Sequence, residues 1–110
     1  MNMSVETNTN LNEIYEGLTN GLSSCREQDL APGCKRVIVY SEDCSLTFDF
    51  ISKQSGLSAT DHVTVQYQDR LGHTSSAVVN SAEQALSIVQ DCIPDKMVSS
   101  RKHMWFLRNW

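Results

Sequence analysis

The sequence predicts one α+β domain: an N-terminal helix, two β-hairpins forming an antiparallel sheet, a second helix packed on one face, and a C-terminal edge strand. Three observations carry this. Apolar residues recur at helical spacing over 11–22 and again over 82–93, they alternate with polar ones between these stretches, and turn residues stand where the period changes.

Residues 1–9 show no apolar periodicity and are expected to form a flexible arm ahead of a single domain over 10–110. Leu11, Ile14, Tyr15, Leu18 and Leu22 then share one helical face. Asn10 is the expected N-cap and Glu13 its capping-box partner, so the first helix is placed at about 11–24. Gly17 and Gly21 lie one turn apart within it, each costing up to about 1 kcal/mol against Ala. Either they admit a neighbouring backbone, or the helix frays from Thr19 onward. Residues 23–34, SSCREQDLAPGC, are polar and close on Pro32-Gly33, the mark of an exposed connection with a turn near its end.

From Lys35 the pattern becomes β. KRVIVYS is rich in β-branched residues, and CSLTFDFIS alternates Leu46, Phe48 and Phe50 with Thr47 and Asp49; Glu42, Asp43 and Cys44 join the two as a hairpin. After the loop 54–61, HVTVQYQ and HTSSAVVN flank the turn Asp69-Arg70-Leu71-Gly72 and make a second hairpin. Asn80 or Ser81 caps the second helix, whose stripe is Ala82, Ala85, Leu86, Ile88, Val89, Cys92 and Ile93; Pro94 ends it. Residues 102–108 read as a strand with His103, Trp105 and Leu107 on one side and Met104, Phe106 and Arg108 on the other.

At 110 residues, 40% of them hydrophobic, the chain is long enough to bury one core. The apolar runs VIVY and MWFL are far shorter than the roughly 20 residues that span a bilayer, so no membrane segment is expected. MNMSVETNTN has neither a basic nor an apolar leader region, which makes the cytoplasm the expected compartment. Cys25, Cys34, Cys44 and Cys92 contain no C-x-x-C spacing and are expected to be thiols. Whether Cys25 and Cys34 pair or bind metal stays open; no metal or cofactor is expected.

Charge is uneven. Residues 1–95 carry all thirteen acids against five Lys/Arg, a net of −8; residues 96–110 carry four Lys/Arg and no acid, a net of +4. A chain of net charge −4 is repelled by phosphates at long range, which disfavours nucleic acid as partner and favours a basic protein.

Three kinds of chemistry follow from the residues. Arg101, Lys102, Trp105 and Arg108 supply the cations and stacking faces that single-strand binders use, and they are the alternative, nucleic-acid contact. The helix–three strands–helix order within this layout resembles the double-stranded-RNA-binding fold as topology; that family's second helix opens with lysines, where this chain has NSAEQA. For catalysis there is no Gly-rich phosphate loop, no G-x-S-x-G and no H-E-x-x-H, while Cys44 beside Asp43 and Cys92 near a helix C-terminus are poorly placed to become thiolates. No catalytic residue is assigned, and the chain is expected not to be an enzyme. What remains is a protein-binding module of the inhibitor, immunity or adaptor kind, with Glu42, Asp43, Asp49 and Trp110 as its contacts. An open C-terminal strand would also pair with its own copy, so a homodimer is the secondary expectation.

Overall fold

The structure is a computed structural model that describes residues 3–52 and 61–98, the backbone alone for residues 3–10. Helix α1 (Met3–Asn20) is followed by strands β1 (Arg26–Ala31), β2 (Cys34–Tyr40), β3 (Cys44–Ile51), β4 (His62–Asp69) and β5 (Thr74–Val79), helix α2 (Ala82–Cys92) and a 3-10 turn at Pro94–Lys96. The strands form one antiparallel meander in sequence order. The α+β class, the antiparallel sheet and the second helix on one face are as the sequence predicts.

Register explains the sidedness. Val37 pairs with Phe48, Phe48 with Val65, and Val65 with Ala77, so directly opposed residues project to the same face. That face carries Val37, Val39, Leu46, Phe48, Phe50, Val63, Val65 and Val79, all buried under both helices with Ile14, Leu18, Ala85, Leu86 and Val89. Burying Phe48 completely contributes roughly 1.5–3 kcal/mol. Tyr15 meets Phe50 edge-on, ring centroids 5.3 Å apart. The opposite face, which carries Arg36, Ile38, Tyr40, Thr47, Asp49, Thr64, Gln66, Ser76 and Val78, has no helix over it among the described residues.

Three expectations need revision and a fourth falls on residues not described. Helix α1 begins at Met3, so its helical backbone includes residues 3–9, and Asn10 lies within the helix, not at its cap. Once Ile14 and Leu18 are packed, extending the helix costs only propensity, which apolar periodicity does not register. The polar connection 23–34 contains β1, a strand exposed along its whole length and held by backbone pairing to β2, which explains why it shows no alternation. Its Pro32-Gly33 turn is real, with Gly33 at φ 82 joining Ala31 to Cys34. The two hairpins are parts of one five-strand meander, so the helix–three strands–helix order gives way to helix–five strands–helix. The expected strand at 102–108 lies outside the described residues; within them the sheet ends at β1 and β5, and Met97 makes an isolated bridge to Leu22.

The glycines settle in favour of close approach. A Cβ on Gly17 would lie 2.4 Å from the Ala82 Cβ, and one on Gly21 would lie 2.6 Å from Leu86 Cδ2. α2 is therefore drawn against α1, away from β5.

Candidate partner-binding surface

Cys44 pairs with Asp69, which puts the β2–β3 and β4–β5 turns side by side at one end of the sheet. Ser41 shapes the first by accepting hydrogen bonds from the Asp43 and Cys44 amides. In the second, Asp69 Oδ1 accepts from the amides of Leu71 and His73, and Gly72 takes φ +92. α2 delivers its C-terminus to the same end, where the Cys44 thiol reaches the Cys92 carbonyl at 3.8 Å. Glu42, Asp43, Asp69 and Asp91 thus gather at one pole of the molecule, with exposed Asp95 in the turn that follows α2.

The cations there are few. Arg70 meets Asp43 at 3.6 Å with both side chains largely exposed, a contact contributing at most about 1 kcal/mol. His73 Nδ1 lies 3.0 Å from Asp69 Oδ2. Burial pushes the Asp69 carboxyl up, but hydrogen bonds from His73 and Leu71 outweigh it and hold the group below its usual range, so it stays ionised at neutral pH. The sequence analysis assigns His73 no role; the D-x-x-x-H spacing across the turn is the sign the sequence offers of this pair.

Of the expected contacts, Glu42 and Asp43 fall together at the acidic pole. Asp49 does not: it stands on the uncovered sheet face, gripped by Arg36 at 2.7 Å and 3.2 Å, with its side chain 18% exposed. Its charge is taken up by a two-point ion pair across β2 and β3. Trp110 lies outside the described residues, as do Arg101, Lys102, Trp105 and Arg108 of the alternative contact.

Beside the pole, between α2 and β4–β5, runs a groove of about 480 Å³ whose floor is Leu46, Val65, Ala77 and Ile88 and whose mouth holds Tyr67, Asp91 and Cys92. Two causes leave it open. The glycine contacts draw α2 toward α1, and at the groove the helix-facing positions of β5 are Ser75 and Ala77, too small to fill the gap, Val79 being the one that reaches the core. No sequence pattern announces it, because it depends on where one helix sits.

Two of the thiols are turned away from the thiolate form. Burial, then the neighbouring Cys44 and Asp91, push Cys92 up; burial, then Glu27, do the same to Cys25. Cys25 and Cys34 stand at opposite ends of the β1–β2 hairpin, about 16 Å apart at 3.3 Å per residue, too far for a disulfide. Among the described residues no cluster of His, Cys, Asp and Glu could hold a metal ion, and no helix is long and apolar enough to cross a membrane. The chain matches no family model, no curated protein and no solved structure.

Proposed function

We propose that this chain is a protein-binding module without catalytic activity, of the inhibitor, immunity or adaptor kind, acting in the cytoplasm, whose acidic pole covers a basic surface of another protein. The observation that supports this reading is the gathering of Glu42, Asp43, Asp69 and Asp91 at one end, where the described residues place only Arg70, His73 and Lys96 as cationic groups. Such an arrangement steers a cationic partner and fixes its orientation more than it adds affinity, so association should slow as salt rises. The four free thiols suit a reducing compartment.

The test compares chemical cross-linking capture from nuclease-treated host extract by the native chain and by Glu42→Lys/Asp43→Lys. A basic protein held by the first and released by the second, with an association rate that falls with ionic strength, is the expected result. Stoichiometric retention of RNA or single-stranded DNA from untreated extract, insensitive to the double substitution, would sink this reading in favour of the alternative through Arg101, Lys102, Trp105 and Arg108.

A further inference from the structure

The groove between α2 and β5 adjoins the acidic pole, sharing Asp91 with it, and it has two properties that belong together. Its floor is apolar, and its outer wall is a strand with one side unpaired among the described residues. A groove of this build accepts an extended segment: the segment's backbone pairs with β5 while alternate side chains reach Ala77 on that strand and Ile88 on the helix above it. At about 480 Å³ it is within the size range of ordinary binding pockets, about 300–1,000 Å³.

We infer that this groove takes residues 102–108 of a second copy of the chain, laid along β5 as an added strand. Three observations select that occupant. KHMWFLR is seven residues, matching the six of β5, with its apolar residues in the middle and cations toward its ends. An added strand turns one of its sides into the groove and the other toward the uncovered face, where Val78 of β5 stands 56% exposed. Apolar residues on both sides of the segment, otherwise unexplained for an edge strand, each then meet an apolar surface. The segment has no acid, whereas the mouth of the groove holds Asp91 with Asp69 close by through Tyr67, so its cations find the charge they need.

The path of the chain decides between its own groove and a second copy's. The amide of Val98 donates to the Gly21 carbonyl, and Gly21 packs against Leu86, on the α1 side of α2. The groove opens on the side of Ile88, about 200° further round the same helix. From Val98 the chain reaches at most about 14 Å by residue 102, whereas 200° of arc round α2, about 10–12 Å across with its side chains, is roughly 17–21 Å. A second copy meets no such obstacle, and mutual exchange closes a two-fold dimer without leaving a free groove.

The test measures the mass of the full chain in solution by sedimentation equilibrium, alone and in variants that leave Glu42 and Asp43 untouched. Ala77→Trp fills the groove from an exposed position, Ile88→Lys charges its wall, and Trp105→Ser/Leu107→Ser weakens the occupant; circular dichroism checks that each is folded. The native chain should be a dimer, and each variant should raise the dissociation constant by about tenfold or more. The decisive measurement mixes Ala77→Trp, which keeps its tail, with Trp105→Ser/Leu107→Ser, which keeps its groove: the mixture should form a heterodimer that neither forms alone. A native chain that stays monomeric at high concentration would overturn the inference, as would dimers indifferent to these changes or a mixture that does not pair. The two readings share Asp69 and Asp91 but their tests stay distinguishable, because the acidic-pole test turns on Glu42 and Asp43 and these variants leave both unchanged.

Discussion

Gly17 shows how one absent side chain sets the positions of two helices. Its Cα hydrogen faces the Ala82 Cβ, an atom fixed to the backbone, so an added methyl at 2.4 Å has nowhere to go unless α1 and α2 separate. At Gly21 the clashing atom is the end of a Leu86 side chain, which can turn. Gly17→Ala should therefore destabilise the protein by about 1–3 kcal/mol in urea unfolding, although alanine is the better helix former, and Gly21→Ala should cost less. Tyr15 gives a second residue-level test. Its hydroxyl donates to Glu27, and that bond, with burial and the nearby charges of Glu27, Cys25 and Asp29, pushes its pKa up to about 12. The raised value means that the folded state holds this proton more tightly than the unfolded one. The resulting stability is fully present below about pH 10, the ordinary tyrosine value, and is lost as pH rises through about 12. Glu27→Gln should bring the tyrosinate absorbance transition of Tyr15 back toward the ordinary range, identified by its absence in Tyr15→Phe.

At the scale of elements, α2 is specified locally and β1 is not. Ser81 Oγ accepts the Gln84 amide at 3.0 Å and Gln84 Oε1 accepts the Asn80 amide at 2.7 Å, a reciprocal start readable in the letters NSAEQ. Pro94 fixes the other end by excluding Ile93 from helical geometry. Ser81→Ala should lower stability by about 1 kcal/mol in thermal or chemical unfolding, with the fold retained. β1 has no such local code. REQDLA buries none of its residues, and its existence depends on β2 presenting an unpaired edge and on the Pro32-Gly33 turn folding it back. Sequence reading by apolar alternation finds strands that bury one face, and β1 buries neither.

Across the whole molecule, acids accumulate where a helix least tolerates them. α2 has no basic residue in its last turn and carries Asp91 there, near the negative end of the helix dipole, with Asp95 just beyond. Asp91→Asn should stabilise the chain by about 0.3–1 kcal/mol at low ionic strength, a gain that shrinks as salt is added, measured as the change in unfolding free energy at two salt concentrations. A carboxylate kept at a stabilising site's expense is what a surface selected for a cationic partner would show.

The sequence by itself determined the α+β class, four of the five strands, the capped second helix and the alternation of Leu46, Phe48 and Phe50, because each rests on periodicity or turn chemistry within a dozen residues. It also supplied Glu42 and Asp43, which need only a turn between two strands. The tertiary structure alone decided that Asp49 is neutralised by Arg36 across the sheet, that Asp69 holds His73, that a polar edge strand exists, and that a groove lies open beside β5. Each of these depends on which residues the register and the Gly17–Ala82 contact bring together from distant parts of the chain, and no local pattern encodes that distance.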